Sequence, residues 1–233
     1  MNGCSKFPPS PRPSLHETLS ECYDALLSPT LEGDLRDPHV QVLIETLTAA
    51  ELAPSLRSIL EQALCEFQKG PVHPLDTEAR ETCAKLASRL AAWMKEANVP
   101  RFVYHGTIYG RLSSIQRYGL VPGANPVWKE RYVSRQHCDG AVFFELTWRS
   151  ALNWAMSAHS SSRGPRKGRH RTPVVLRLPM AGLALEPDPK AITPLSCMVR
   201  AAVPLIAPYV LVGTNMGFPA WRSLPEVLSD KTS

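Results

Sequence analysis

Residues that could do chemistry are concentrated in the second half of the 233-residue chain. His105-Gly106-Thr107 closes a short β-rich run, Phe102-Val103-Tyr104. A second run, Ala141-Val142-Phe143-Phe144, is followed at once by Glu145, and Trp154 comes eleven residues after Phe143. Histidine is charged or neutral near pH 7 and hydrogen-bonds in both states, and the aromatic rings offer flat stacking faces. A bland reading stands beside each. A lone histidine at a strand end is often a satisfied structural group. One of two successive strand phenylalanines faces a core in any case, and Trp154 lies on a helical stripe where packing is the commoner fate. Glu145 is either a site acid or a charge that favours the start of the helix capped by Thr147. Glu186, with Asp188, is framed by Pro187 and Pro189 and reads equally as turn.

Charge narrows the chemistry further. The net +5 of the chain divides into −5 over residues 1–98 and +10 over 99–233. The second half therefore suits an anionic ligand, nucleotide phosphates or nucleic acid, unless the excess only aids solubility. Lys129, Arg131 and Arg135 fall in a polar loop. Arg163, Arg166, Lys167, Arg169 and Arg171 form a second basic patch without interleaved aromatics, either a phosphate-backbone contact or a solvated charge run. The six cysteines, at 4, 22, 65, 83, 138 and 197, lie too far apart for a zinc site or a disulfide framework and fit reduced thiols in a cytoplasm. No apolar run is long enough to span a membrane. Met1 to Ser14 lacks the apolar stretch of a secretory signal, so residues 1–13 are expected to be a flexible arm.

The elements that must position these residues divide near residue 98. Residues 14–98 read as a helical bundle domain. Ser14 and Glu17 form a capping box before Leu15, Leu19, Cys22, Tyr23 and Leu26, and Ser28-Pro29 stops the run. Val40, Leu43, Ile44 and Leu47, then Leu56, Ile59, Leu60, Ala63, Leu64 and Phe67, repeat the helical spacing on either side of Pro54. Asp76 caps a longer helix with Ala79, Cys83, Leu86, Leu90, Trp93 and Ala97 on one face. Residues 99–233 change texture: strands at 102–104, 141–144, 174–178, 197–199 and 209–212, a helix from Arg111 to Tyr118 closed by Gly119, and a helix after Thr147. Strands separated by only two short helices predict an α+β fold with an antiparallel-rich sheet.

Over about residues 100–213 the sequence resembles the ADP-ribosyltransferase superfamily, in its diphtheria-toxin-like and poly(ADP-ribose) polymerase-like branch. The resemblance rests on Tyr104-His105-Gly106-Thr107, a helix, Gly119-Leu120-Val121-Pro122, the strand Gly140 to Phe144, and Ser150-Ala151-Leu152-Asn153-Trp154. It implies a split antiparallel sheet and NAD as co-substrate. His105 would then bond a ribose hydroxyl, Gly106 would offer its main chain to the nicotinamide amide, and Thr107 would touch the adenosine ribose. Phe143 and Trp154 would stack on nicotinamide, and Arg131 and Arg135 would hold the pyrophosphate. Since His105 and Phe143 would touch one nicotinamide nucleoside, they should face one cleft from neighbouring strands.

The sequence departs from the family at one decisive place. Where the family carries a glutamate at the start of the penultimate strand, this chain has Ser196-Cys197-Met198-Val199. Glu145 and, less favourably, Glu186 are the candidate replacements. The resulting expectation is a mono-ADP-ribosyltransferase acting on a protein or nucleic-acid acceptor, in a toxin, defence or effector role. The alternatives are a catalytically silent module that binds NAD, ADP-ribose or nucleic acid and, less favoured because Tyr104 rather than arginine precedes His105, an RNA 2′-phosphotransferase-like enzyme. The helical half would serve as scaffold or as the docking unit for a partner protein.

Overall fold

The structure, a computed structural model, describes residues 14–29, 44–45, 47–48, 51–70, 72–123, 140–161, 169–189, 191, 195–205, 208–213 and 221–230. Helix α1 (Leu15–Leu27) starts on the expected capping box, with Ser14 Oγ receiving the Glu17 amide while the Glu17 carboxylate takes the Ser14 amide at 2.9 Å. Helix α2 (Pro54–Gln68) begins at Pro54, which sits in the first turn, where a missing N–H costs nothing. Helix α3 (Thr77–Glu96) is capped by Asp76, whose Oδ1 accepts from the Ala79 amide at 3.0 Å. Its buried stripe is Cys83, Leu86, Ala87, Leu90 and Met94, with Ala79 and Trp93 partly buried against the same cluster; only Ala97 of the expected face is exposed, because the 3.6-residue period drifts over a helix of this length. Side chains from Leu19 to Val99, Ile44 and Leu47 among them, form one apolar cluster; Val40 and Leu43 lie outside the described residues.

The second half is a mixed α+β arrangement around an antiparallel seven-stranded sheet ordered β4-β5-β2-β1-β3-β6-β7. Its strands are β1 (Phe102–Ile108), β2 (Val142–Glu145), β3 (Pro173–Pro179), β4 (Glu186–Pro187), β5 (Ser196–Val199), β6 (Tyr209–Val212) and β7 (Arg222–Ser223). Strand β1 runs through His105-Gly106-Thr107 instead of ending there, because β3 pairs with it along its whole length, from Phe102↔Pro179 to Ile108↔Pro173. Val174, Val175, Leu176 and Leu178 make β3 a strand buried on both faces, with Arg177 the one charged side chain among them.

Strand alternation sorts the sheet into two faces. Val103, Phe144, Leu176, Cys197 and Val210 point to the face covered by α4 (Leu112–Tyr118) and α6 (Leu224–Ser229). Tyr104, Val175 and Leu211 point to the face covered by α5 (Trp148–Ser161), with Trp148, Ala151 and Leu152. Thr147 caps α5 as expected, its Oγ1 accepting from the Ser150 amide at 3.2 Å. Gly119 ends α4 at φ +75°, and a Cβ there would stand 2.5 Å from the Val203 carbonyl oxygen.

Gly106 is where α5 lies closest to the sheet. A Cβ on this residue would overlap the Ala151 carbonyl oxygen and stand 2.9 Å from the Ala155 nitrogen, both helix backbone atoms that cannot swing aside. Gly106→Ala is therefore expected to destabilise the protein by about 1–3 kcal/mol through overpacking. Urea unfolding measures this; a change below about 0.5 kcal/mol would show that α5 does not sit this close.

Candidate functional site

The middle of the sheet gathers the expected site residues around the line where β1 meets β2. Strand β2 pairs with β5 over its full length, Val142↔Val199 to Glu145↔Ser196, but with β1 only at Tyr104↔Glu145. Beyond that pair the imidazole of His105 lies across the junction, its Nδ1 2.9 Å from the Phe143 carbonyl oxygen. As a carbonyl only accepts, Nδ1 carries the proton, and the neutral tautomer leaves Nε2 as an acceptor. Burial lowers the His105 pKa, the bond to Phe143 opposes this, and Arg111 adds to the lowering, so the ring is neutral at pH 7. Nε2 has no hydrogen-bond partner among the described residues.

Glu145 is the other centre. It is 5% exposed, on the α5 face, directly across the ladder from Ser196. Its Oε1 accepts from Ser196 Oγ at 2.7 Å and from Trp154 Nε1 at 2.6 Å, while its Oε2 is buried with no partner among the described residues. Burial raises the Glu145 pKa; the Ser196 and Trp154 hydrogen bonds oppose that, and the charge of Asp188 adds to it. A buried carboxyl oxygen left without a partner among the described residues is a group that a bound ligand would satisfy. Trp154 is 40% exposed even though its indole N–H is spent on Glu145. It is a surface group and not the core residue that the helical stripe also allowed.

Other expected residues fall differently. Tyr104 packs, buried against Trp221 with ring centroids 5.8 Å apart. Thr107 is 2% exposed, which withdraws its side chain from any ribose. Gly106 is required by α5, a reason independent of any ligand. His105 and Phe143 occupy neighbouring central strands but not one face: alternation sends Phe143 to the α5 side with Glu145, and His105 to the side of Phe144, whose ring meets its imidazole edge-on at 6.0 Å. This overturns the expectation that the two side chains face one cleft; a ligand touched by both would have to lie in the β1–β2 junction and not on a face. Glu186 stands on edge strand β4, half exposed in an ion pair with Arg200 at 3.0 Å, and pairs across the ladder with Met198 and not with Ser196. Lys129, Arg131, Arg135, Arg163, Arg166 and Lys167 lie outside the described residues; of the second patch, Arg169–Arg171 forms a 3₁₀ turn in which Arg171 is partly buried.

Ser196 is the residue that sequence alone did not single out as functional. Its signal was its place at the start of the strand where a carboxylate was missing, and only the ladder register reveals that the carboxylate stands opposite it. Cys197, beside it, is buried and its thiol is pushed up to about 12 by burial and then by Glu145 and Asp188, so it is not a nucleophile. No group of side chains among the described residues could hold a metal ion, and no described helix is long and apolar enough to cross a membrane. Comparison with protein-family models, with curated proteins and with solved structures gave no match.

Because the Ser196 hydroxyl favours the charged form of Glu145, Ser196→Ala is expected to move the Glu145 pKa further upward. A carbon-13 NMR titration of the Glu145 carboxyl, assigned with Glu145→Gln, reads this directly; an unchanged or lowered midpoint would mean that the hydroxyl does not hold the acid.

Proposed function

We propose that residues 99–233 form a mono-ADP-ribosyltransferase-like domain that transfers ADP-ribose from NAD to a protein or nucleic-acid acceptor, with Glu145 as its catalytic carboxylate. The observation that carries this reading is the Glu145–Ser196 rung. The resemblance expects a glutamate at Ser196, and the carboxyl of Glu145 reaches that place from the adjacent strand, with one oxygen free for a ribose hydroxyl.

Cleaving the nicotinamide–ribose bond develops positive charge on the ribose, so the enzyme has to orient the leaving group and set a negative group beside the sugar. Trp154 and Phe143 share the α5 side with Glu145 and would bracket the nicotinamide ring. Neutral His105, fixed through Nδ1, would receive a ribose hydroxyl on Nε2 from across the junction. The Ser196 hydroxyl and the Trp154 indole N–H act on Glu145: they hold Oε1 and lower the cost of the anion.

One observation favours the second reading, a module that binds NAD or ADP-ribose without turnover. Burial raises the Glu145 pKa, and a protonated carboxyl can hydrogen-bond a ribose without stabilising a cation. The two readings separate on rate against pH. A catalytic anion is lost as pH falls through its raised pKa, so transfer should rise with pH above the ordinary carboxylate range in the wild type and lose that dependence in Glu145→Gln.

In Glu145→Gln, single-turnover transfer should fall by about 10²–10³ while NAD affinity stays within a few-fold, as for an interaction made chiefly in the transition state. His105→Ala should weaken NAD binding or transfer without lowering the melting temperature by more than a few degrees. Nicotinamide release, with mass spectrometry of protein, RNA and DNA fractions for an ADP-ribose adduct, measures both. NAD binding without release or adduct would leave the binding module; no NAD binding at all would end the transferase reading.

A further inference from the structure

Helix α1 meets the sheet through its polar side. Glu17, Ser20, Glu21 and Asp24 fall on one stripe, opposite the stripe of Leu19, Cys22 and Leu26 that packs among the other N-terminal helices. The polar stripe lies over the α5 face. Arg177 of β3, 3% exposed, pairs with Glu17 at 3.3 Å and is enclosed by the rings of Phe102, Tyr209 and Trp221, each within 4.7 Å of its guanidinium. Trp148 Nε1 donates to Glu21 Oε2 at 3.0 Å, and the buried Tyr104 hydroxyl stands beside Asp24 and favours its charged form.

Among the described residues, only Glu17 of the three carboxyl groups has a direct cation partner in this interface. Glu21 and Asp24 are held by neutral donors, with the Arg149 and Arg177 charges further off and each other's charge close by. Arg149 lies over the Trp148 ring, and Arg101 is engaged with Tyr23, at 5.2 and 5.0 Å from the ring centres. Asp24 Oδ2, Ser20 Oγ and Arg177 Nε are buried without hydrogen-bond partners among the described residues. A buried carboxylate held only by neutral donors is costly as an anion and inexpensive as an acid.

We propose that α1 is a proton-operated latch: the N-terminal helices dock on the sheet with Glu21 and Asp24 protonated, and the contact loosens as these groups ionise. Ionisation sets the working range. Burial pushes Glu21 up to about 7 against the Trp148 bond and Arg149, and burial with the Glu21 charge pushes Asp24 well above its usual value. Glu17 lies below its usual value: burial alone would raise it, but the Ser14 and Arg177 hydrogen bonds outweigh that, so it stays charged in both states. Because docking raises the pKa of each latch acid, the docked state holds more protons than the open one, and docking weakens as pH rises toward the raised values.

Release would bear on the candidate site. Trp148 begins α5, and Thr147, its cap, is reached by Ser28 Oγ at 3.5 Å, so α1 steadies the start of the helix whose Trp154 holds Glu145. The latch itself does not depend on NAD or on the role of Glu145, and its test uses neither.

Hydrogen exchange of the full chain from pH 5 to 8, expressed as protection factors to remove the intrinsic pH dependence, tests it. The amides of α1 should lose protection by about tenfold per pH unit below pH 7 for each proton released, while β3 stays more protected throughout, which marks local undocking. Glu21→Gln keeps an acceptor for Trp148 and should leave α1 more protected at pH 8 with a shallower slope; Asp24→Asn should do the same independently. Wild-type α1 protection that does not change with pH would overturn the latch, as would a wild-type slope retained in both variants. If neither variant folds, the wild-type slope decides alone.

Discussion

A carboxyl group buried in the middle of a sheet is tolerable only if its surroundings settle its charge, and Glu145 is the group on which the rest of the candidate site depends. Its Oε1 is held by Ser196 from the next strand and by Trp154 from the helix above, so one side chain joins β2, β5 and α5. That junction requires α5 to lie close over β1, which in turn requires Gly106 to lack a side chain. It also keeps a tryptophan at the surface whose ring would otherwise gain by burial. The orphaned Oε2 is what the arrangement leaves over, and it is the reason to look for a ligand here and not elsewhere on the sheet.

The same physics appears a second time, under α1. Glu21 and Asp24 are held by Trp148 and Tyr104, neutral donors like those on Glu145, and burial raises all three acids. The protein thus places protonatable groups at both ends of the start of α5, one set toward the N-terminal helices and one toward the candidate site. Arg177 anchors the first set by its pair with Glu17 and its three surrounding rings. Among the described residues no comparable cation stands beside Glu145: the groups that perturb it are two neutral donors and the carboxylate of Asp188.

Much of the fold was legible because its signals are local. The Ser14–Glu17 box, the Asp76 cap, the Gly119 stop and the apolar run of β3 each announce themselves within a few residues. Helix α6 carries the same Ser-x-x-Glu spacing, Ser223 to Glu226, and is capped by it, though it was not among the expected elements. The short edge strands β4 and β7 leave almost no periodic pattern to read. The site was half legible. Residue types marked His105, Phe143, Glu145 and Trp154, but strand register decides that Glu145 faces Ser196 and that His105 and Phe143 part to opposite faces. Glu21 and Asp24 of α1 drew no expectation at all, because nothing local reports that a sheet covers them.

The most direct measurement is a crystal structure of the protein with a non-hydrolysable NAD analogue. The account predicts the nicotinamide ring in the β1–β2 junction against Trp154, with a nicotinamide-ribose hydroxyl within about 3.2 Å of Glu145 Oε2. An analogue bound elsewhere, or one bound here with Oε2 still without a partner, would contradict it.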